Sequence, residues 1–243
     1  MKNNTNAIVF AIAIIVAAFI LGNAVINRNK KEGTISVTGL GQTNFTSDLI
    51  VWEAKFSQVN SDLKQAYSDL KKDKETISEY LKSKGLSDDV IVFNAVATNK
   101  EFKQNYTNDG KYLGQEFIGY TLSQTVQINS KDVEKVEKIS REVTELLNKG
   151  IQLYSLAPRY YYTKLEDLKI EMVAQATDNA HVRAKSIAEN SGAQLGELSL
   201  AQMGIFQITG QNSNEDYSWG GAYNTTSKEK TASITMKLTY QVK

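Results

Sequence analysis

An uncharged apolar run near the amino terminus constrains this chain more than any other feature. Residues 7–21 read AIVFAIAIIVAAFIL, and only Gly22 and Asn23 interrupt the apolar sequence before Ile26. At ~1.5 Å of rise per residue, a helix of about twenty residues spans the roughly 30 Å hydrocarbon layer of a membrane. Because the run is apolar on every face, it differs from the one-sided helices of a soluble core. The sequence therefore predicts an N-terminal hydrophobic helix that anchors the protein in a membrane.

The same run also fits a cleaved signal peptide. Lys2 supplies a basic start, and Gly22 and Ala24 supply the small residues that precede a cut after Ala24. The length of the run favours an uncleaved signal anchor. Charge counting disagrees with export, because more basic residues follow the run than precede it, and the positive-inside rule alone would keep the body in the cytoplasm. The basic residues that follow are Arg28, Lys30 and Lys31.

Charge and rare residues restrict the chemistry open to the chain. With 28 Lys plus Arg against 27 Asp plus Glu, the net charge is +1, so the chain lacks the electrostatic attraction on which nucleic-acid binding depends. The absence of cysteine excludes disulfides, thiolate nucleophiles and cysteine-based zinc sites. His181 is the single histidine and cannot build a two-histidine zinc centre. We therefore expect no nucleic-acid partner, no metal, no cofactor and no enzyme activity.

Hydrophobic periodicity predicts a folded body that begins near Gly33, after a charged spacer at residues 27–32. Strict alternation of apolar and polar residues predicts a strand at residues 49–59. The segment before it reads as a loop, in which Gly39-Leu40-Gly41 forms a turn and not a phosphate loop, since neither a helix nor a lysine-serine pair follows. Further strands are predicted at residues 34–38, 90–98, 117–128, 151–162, 195–208 and 231–242.

Apolar residues at three- and four-residue spacing predict three helices in the body. The first follows Ser61, read as its N-cap, and ends at Gly85; the second begins after Ser130 and ends near residue 149. The third runs roughly from Lys164 or Leu165 to Asn190 and ends at Gly192, and its small inner-face residues predict close packing on a sheet. That face consists of Leu168, Met172, Ala176, Ala180, Ala184, Ile187 and Ala188.

The order of these elements predicts the fold class. Hairpins mixed with helical crossovers indicate an α+β fold, with a mainly antiparallel sheet and helices packed on one face. We assign residues 1–32 to the anchor and spacer and residues 33–243 to one domain; a subdomain boundary, if the body divides, falls near Asn129. Pro158, the only proline, lies within the strand predicted at residues 151–162 and indicates an edge position or a bulge there.

Neighbouring acids supply the carboxylate pairs that acid–base hydrolysis requires. Acids on strands and in connecting loops are usually solvated, and His181 lies beside the apolar stripe of its helix. A carboxylate-based hydrolase, with His181 as its base, is the least favoured alternative. The pairs are Asp48 with Glu53, Asp88 with Asp89, and Glu166 with Asp167.

Two aromatic segments are candidate contact surfaces. Arg159 precedes Tyr160, Tyr161 and Tyr162, and a cation beside aromatic rings can bind another subunit or a ligand. Trp219 lies in a polar, glycine-bearing loop that can expose its ring. The alternative for both segments is core packing, since tyrosine is common in strands and a loop tryptophan can fold back on a sheet. A ligand- or cell-wall-binding module built on these residues is the second functional hypothesis.

Three segments resemble a known family. The first, ISVTGLGQTNFTSDLIVWEAKFS, has a Gly-x-Gly step and an acid, Asp48, before the second strand. The second, LKSKGLSDDVIVFNAVATNKEF, is followed by Gly119-Tyr120. The third, MVAQATDNAHVRAKSIAENSGAQLGEL, combines an alanine-rich helix with a closing Gly-x-x-Leu-Gly. Together, over residues 33–243 and in the same order, they resemble the SIMPL-domain, or YggE-like, family of bacterial envelope proteins.

This resemblance implies a function that composition does not. It implies an α+β protein of the cell envelope without established catalytic residues, a tendency to form homo-oligomers, and a link to oxidative-stress defence in some members. We therefore expect an inner-membrane-anchored protein with a periplasmic body that acts through homo-oligomerisation or an envelope partner. Secretion to the periplasm after cleavage near Ala24 is the alternative.

Overall fold

The N-terminal helix is present as the sequence predicts. The computed structural model describes Lys2–Arg28 and residues 33–243, and the side chains of residues 7–25 and 33–243. Helix α1 (Lys2–Arg28) contains Ala7–Val25, which is long and apolar enough to cross a membrane and has none of its surface buried in the protein. Lys30 and Lys31, on which the charge comparison depends, lie outside the described residues, with most of the predicted spacer.

The body combines three further helices with antiparallel strands, which confirms the α+β class. The helices are α2 (Leu63–Ser83), α3 (Val133–Glu142) and α4 (Leu165–Asn190). A 3-10 segment, Val143–Lys149, continues α3. The strands are β1 (Thr34–Thr46), β2 (Leu49–Asn60), β3 (Ile91–Phe93), β4 (Ala97–Tyr106), β5 (Tyr112–Ser130), β6 (Tyr154–Ser155), β7 (Arg159–Tyr161), β8 (Leu195–Met203), β9 (Gln207–Gly210) and β10 (Glu229–Val242).

The chain divides into two compact units, to both of which β1, α4 and β10 contribute residues. The first unit consists of Met1–Gly41, Ala174–Gly204 and Thr235–Lys243. The second consists of Gln42–Val173 and Ile205–Ile234. Asn129, near which the sequence predicts a subdomain boundary, lies within β5 of the second unit. The predicted limits of anchor and body stay a prediction.

The sheet of the second unit is centred on β2 and β5. These strands pair antiparallel from Ile50 opposite Ser130 to Asn60 opposite Tyr120. The other edge of β5 pairs with β3 and β4, and the other edge of β2 pairs with β6 and β7. The strands predicted at residues 90–98 and 117–128 belong to a hairpin, but β4 and β5 extend through much of the segment between them, so that only residues 107–111 form the turn.

Helices α2 and α3 cover one face of this sheet, and the hydrophobic core lies between the two helices and that face. The alternating residues of β2 and β5 that point to this face are buried, as period-two patterning requires. Both predicted N-caps are wrong by one or two residues: Asp62 accepts a hydrogen bond from Gln65 N (2.8 Å), and Asp132 accepts one from Lys135 N (3.2 Å). An ionised carboxylate satisfies the free N–H groups and the helix dipole better than a serine does.

The turn predicted at Gly39-Leu40-Gly41 is wrong, because β1 runs straight through it. A Cβ atom on Gly39 would lie 2.1 Å from the Ala176 carbonyl oxygen and 2.5 Å from Ala180 N. Glycine is therefore required here by the close approach of α4 to β1, and not by a turn. The small-residue face of α4 permits this approach, as the sequence predicts.

In the first unit, β10 lies between β1 and β8. Helix α4 has the predicted limits, and its buried side chains match the predicted face at every position except Ile187, which is half exposed. The buried positions recur every four residues from Leu168 to Ala188, so Ile187 falls beside the stripe and not on it.

Two predicted strands are each broken in two. Residues 151–162 form β6 and β7, with Pro158 between them, since proline cannot donate to a strand ladder. Residues 195–208 form β8 and the first half of β9, which are separated at residues 204–206. There the Gly204 N–H donates to the Thr235 carbonyl oxygen.

Candidate functional site

The Arg159 end of β7 is accessible and carries a charge pair. Strand pairing places Arg159 opposite Val51, and its Nη2 atom lies 2.6 Å from Glu53 Oε1. Both side chains keep contact with solvent, so the pair is screened and can exchange partners. The structure thus joins two residues that the sequence analysis treated separately, the cation of the aromatic segment and an acid of a proposed catalytic pair.

Tyr160 belongs to the core of the second unit. Its ring is buried, its backbone N–H donates to the Thr225 carbonyl oxygen (2.7 Å), and its hydroxyl donates to Glu137 Oε1 (3.1 Å). Burial raises the pKa of the Tyr160 phenol, and the Glu137 charge adds to this effect. The accessible face of β7 is therefore formed by Arg159 and, in part, by Tyr161.

Tyr162 and Asp48 fix the segment that leads from β7 to α4. The Tyr162 ring packs on Phe45 with centroids 4.8 Å apart. The Asp48 carboxylate accepts hydrogen bonds from both the N–H and the hydroxyl of Thr163, each 2.7 Å long, and the Asp48 N–H donates to the Tyr161 carbonyl oxygen. Asp48, one of the acids considered for hydrolysis, thus has a positioning role in this turn.

A charge network fastens the loop before β10 to α3. Lys228 Nζ lies 2.8 Å from Glu134 Oε1 and 3.2 Å from Glu137 Oε2. Burial acts to raise the pKa of Glu137, but hydrogen bonds from Lys228 and Tyr160 outweigh it and hold the pKa below the usual value. Hydrogen bonds to Glu134 and Glu137 raise the pKa of Lys228. These groups neutralise one another, which favours a structural role.

Lys230 is a buried cation that the sequence analysis missed. Its side chain is 1% exposed, and its Nζ atom donates to the Ser227 carbonyl oxygen and lies 3.4 Å from Asn224 Oδ1. Burial lowers the pKa of Lys230 to about 8, against the opposing charge of Glu215. The alternation of buried residues in β10 is the one sequence pattern that indicates this burial. Extended back from Ile234 in steps of two, it reaches position 230.

Trp219 projects from a turn that Gln207 holds in place. The Gln207 side chain accepts hydrogen bonds from Ser218 N (3.2 Å) and Ala222 N (2.7 Å) and donates one to the Ser218 carbonyl oxygen (2.8 Å). The Trp219 side chain is 95% exposed. This part of the chain therefore offers an indole ring to solvent on a fixed turn, and its predicted partner or ligand role stays a prediction.

Three of the other proposed catalytic acids, and His181, each have an identifiable local setting. Asp88 forms an ion pair with Lys82 (2.7 Å), while Glu166 and Asp167 lie in the first turn of α4, where acids favour the helix dipole. His181 Nδ1 lies 3.2 Å from the Tyr240 hydroxyl. Within residues 7–25 and 33–243, no group of three or more metal-binding side chains comes together.

The β4–β5 hairpin extends beyond the three-stranded part of its sheet. Pairing with β2 ends at Tyr120, and from Gly119 outward β5 pairs, among the described residues, with β4 alone. We call residues 101–119 the hairpin arm. One face of the arm carries two pairs of aromatic rings in edge-on or tilted contact, with centroids 5.8 Å apart for Phe102 and Phe117 and 5.6 Å for Tyr106 and Tyr112.

Most side chains of the hairpin arm are exposed on both faces. Phe102 and Phe117 are each 43% exposed, and two register shifts leave Leu113 and Ile118 as extra residues that point to solvent. Exposed apolar side chains grouped in one segment mark a contact site in many soluble proteins. The arm is a contact surface that the sequence analysis did not single out.

Comparison with known proteins identifies the body. A model of the SIMPL family, described as "Protein of unknown function (DUF541)", matches residues 35–243. The match begins in β1 and continues through β10, and it confirms the resemblance found in the sequence. Among proteins with curated descriptions, none matches the chain significantly.

Proposed function

The chain belongs to the SIMPL family, and on that premise we propose that it is a non-enzymatic protein of the bacterial cell envelope, anchored by α1, whose body acts by contacting other copies of itself or a partner. The family and the apolar helix are both consistent with an envelope protein. The finer parts of the proposal are the mode of action, the orientation and the partner.

The observation that carries the proposal is the environment of α1. Its stretch Ala7–Val25 exposes apolar side chains along 19 residues and buries none of them in the protein. At about 25 cal/mol per Å² of apolar surface, leaving such a helix in water is strongly unfavourable. A bilayer removes that cost, because an α-helix satisfies its own backbone hydrogen bonds in hydrocarbon.

Contacts within the body support action by binding and not by catalysis. Asp48 and Glu53, the two acids of one pair considered for hydrolysis, are engaged in structural contacts. Glu53 binds Arg159 across β2 and β7, and Asp48, just before β2, binds Thr163, just after β7. The exposed surface, in contrast, is rich in unpaired strand edge and aromatic rings at the hairpin arm. Unpaired edges are readily satisfied by a second chain.

Self-association is tested on the full-length protein in detergent. Light scattering coupled to size exclusion should detect a species larger than one chain whose fraction rises with protein concentration. A mass of one chain at every concentration contradicts the proposal that copies of the protein contact one another. Contact with an envelope partner is then the remaining mode of action.

We place the body in the periplasm, and this orientation is testable because the chain has no natural cysteine. In Trp219→Cys the new thiol replaces the exposed ring on its turn. A membrane-impermeant maleimide should label this variant in intact spheroplasts to the same extent as after permeabilisation. Labelling that requires permeabilisation places the body in the cytoplasm, as the positive-inside count alone would. The intact mass of the same sample shows whether residues 1–24 are retained.

The exposure of Trp219 favours one second candidate, a ligand- or cell-wall-binding module. Aromatic side chains on a fixed turn stack on sugar rings and other flat ligands with little loss of conformational freedom. If the candidate is correct, soluble peptidoglycan fragments shift the intrinsic fluorescence of the wild type but not that of Trp219→Ala. An unchanged spectrum at saturating fragment concentration removes this candidate.

The link to oxidative-stress defence rests on the family resemblance alone, and we include it as the outermost part of the proposal. A strain that lacks the gene should be more sensitive to peroxide, and the full-length chain should restore growth. Equal sensitivity of the two strains contradicts this part without touching the anchor or the contact surface.

A further inference from the structure

The hairpin arm presents an open strand edge. Among the described residues, β4 pairs with β5 and with no other strand, so one side of its ten-residue backbone has no strand partner. A two-stranded ribbon is only marginally stable in water by itself, and three or more strands are needed for independent stability. The arm is therefore an incomplete sheet: its residues are typical of strands, and its open edge is available for pairing with another strand.

We propose that the arm is completed by a second copy of this chain, through antiparallel pairing of the two β4 strands about a two-fold axis at Phe102. The proposal rests on the self-contact function proposed above and names the surface that performs it. The two hairpins would form one four-stranded sheet, and the ring row Phe117–Phe102 of one copy would continue into the same row of the other.

The charge pattern of β4 selects this register. In a two-fold antiparallel pair one residue faces its own copy, and its neighbours face each other. With Phe102 at the axis, Glu101 of each copy faces Lys103 of the other. An axis at position 100, 101 or 103 instead brings a lysine or a glutamate opposite its own copy, which is unfavourable.

Glu101 and Lys103 are available for this pairing. Neither forms an ion pair with another described residue. Lysine on an edge strand ordinarily prevents association, because a second strand would strip it of water without compensation. Opposite a glutamate of the second copy, the lysine has a charged partner and no longer prevents association. Strand β4 therefore pairs with β4 of another copy in preference to other strand edges.

The edge strand β8 of the first unit offers a weaker case. It is exposed from Glu197 to Met203 and carries Leu198, Leu200 and Met203 at the surface. Glu197 is its one charged residue, so no register of β8 with itself pairs opposite charges. Association through β8 would therefore be insensitive to the charges of β4, which makes the two edges separable by experiment.

Charge exchange on β4 tests the proposal with the full-length protein in detergent at low salt. Glu101→Lys and Lys103→Glu each replace two attractive pairs by two repulsive ones across the axis, and each should weaken dimerisation by at least about tenfold. The double variant E101K/K103E restores opposite charges in every pair and should return to within about threefold of the wild type. Lys100→Glu, which faces Gln104 in the same register, is the matched control and should change the constant by less than about threefold.

The possible outcomes distinguish failure of the β4 pairing from failure of the self-contact function. Recovery in the double variant, together with loss of the single-variant effect at about 1 M salt, supports the β4 pairing, since screening at that ionic strength acts within about 3 Å. A dimer whose dimerisation constant is the same in all four variants overturns the β4 pairing. The proposed function is then unaffected, and β8 is the next edge to test. A wild type that stays monomeric at every concentration overturns the pairing and the self-contact function together.

Discussion

Strand β5 is buried at one end and exposed at the other, although its sequence changes little in character along its length. Ile128 is fully buried at 0% exposure between β2 and β3, beneath α2 and α3, whereas Ile118 is 52% exposed in the hairpin arm. The same residue type on the same strand thus has opposite environments. The difference comes from the number of neighbouring elements, which a strand's own sequence does not encode.

The largest expected effect compares these two isoleucines directly. Ile128→Ala leaves a cavity in a core that cannot collapse, and it should lower the free energy of unfolding by about 2–5 kcal/mol. Ile118→Ala removes side-chain atoms that already contact water and should change it by less than about 0.5 kcal/mol. Urea unfolding of the full-length protein, followed by the fluorescence of the buried Trp52, measures both. Equal losses at the two positions would break the comparison.

The buried cation Lys230 sharpens the comparison, because it places a charge in the packed region. Its pKa of about 8 lies below the 10.5 of an unfolded lysine, so between these values the unfolded chain binds more protons and the free energy of unfolding rises with pH. Lys230→Met keeps the side-chain length without the charge. Relative to that variant, the wild type should gain about 3 kcal/mol between pH 7 and pH 10.5.

The difference between wild type and Lys230→Met is the quantity to follow, since tyrosines such as Tyr160 titrate in both proteins and cancel. Urea midpoints at four or five pH values are sufficient. A difference that stays constant over the range would mean that Lys230 is uncharged, or fully solvated, in the folded protein.

The smallest effect is expected at the exposed charge pair of β7. Arg159→Ala removes a 2.6 Å contact with Glu53, but both side chains remain solvated, so the loss of stability should be under about 1 kcal/mol. Glu53→Ala should cost a similar amount, and a double-mutant cycle isolates the interaction. A coupling of more than about 2 kcal/mol would mean that this surface is buried in an assembly.

Periodicity predicted the regular elements and failed where tertiary contacts decide the structure. The limits of α4 and the alternation of β10 follow from residue spacing alone. The local sequence indicates a turn at Gly39. The actual requirement for glycine is the Ala176 carbonyl oxygen, 2.1 Å from the position of a Cβ atom, and this atom lies on a helix distant in the sequence. Regular alternation would place Ile118 on the same face as Tyr120, but the register shift beside it makes it an extra residue.

The candidate surface was predictable to a similar degree. Arg159 and Trp219 are exposed, as a contact role requires. Tyr160 is buried in the core, where its hydroxyl donates to Glu137, and the run of three tyrosines does not indicate which of them is buried. The hairpin arm was missed because its residues have ordinary strand composition. Its exposure follows from β2 ending at Asn60, which no residue within the arm indicates.

The most direct test of self-contact through the arm uses the absence of natural cysteine. In the proposed pairing, residue 102 lies opposite its own copy with Cα atoms about 4.5–5.5 Å apart, within disulfide range. Position 117 is one strand further on each side, about 14 Å from its copy, although Phe102 and Phe117 are equally exposed at 43%. In oxidant-treated membranes, Phe102→Cys should therefore form a covalent dimer and Phe117→Cys should not. Equal cross-linking of the two variants, or none in Phe102→Cys while the chain still associates, contradicts the account.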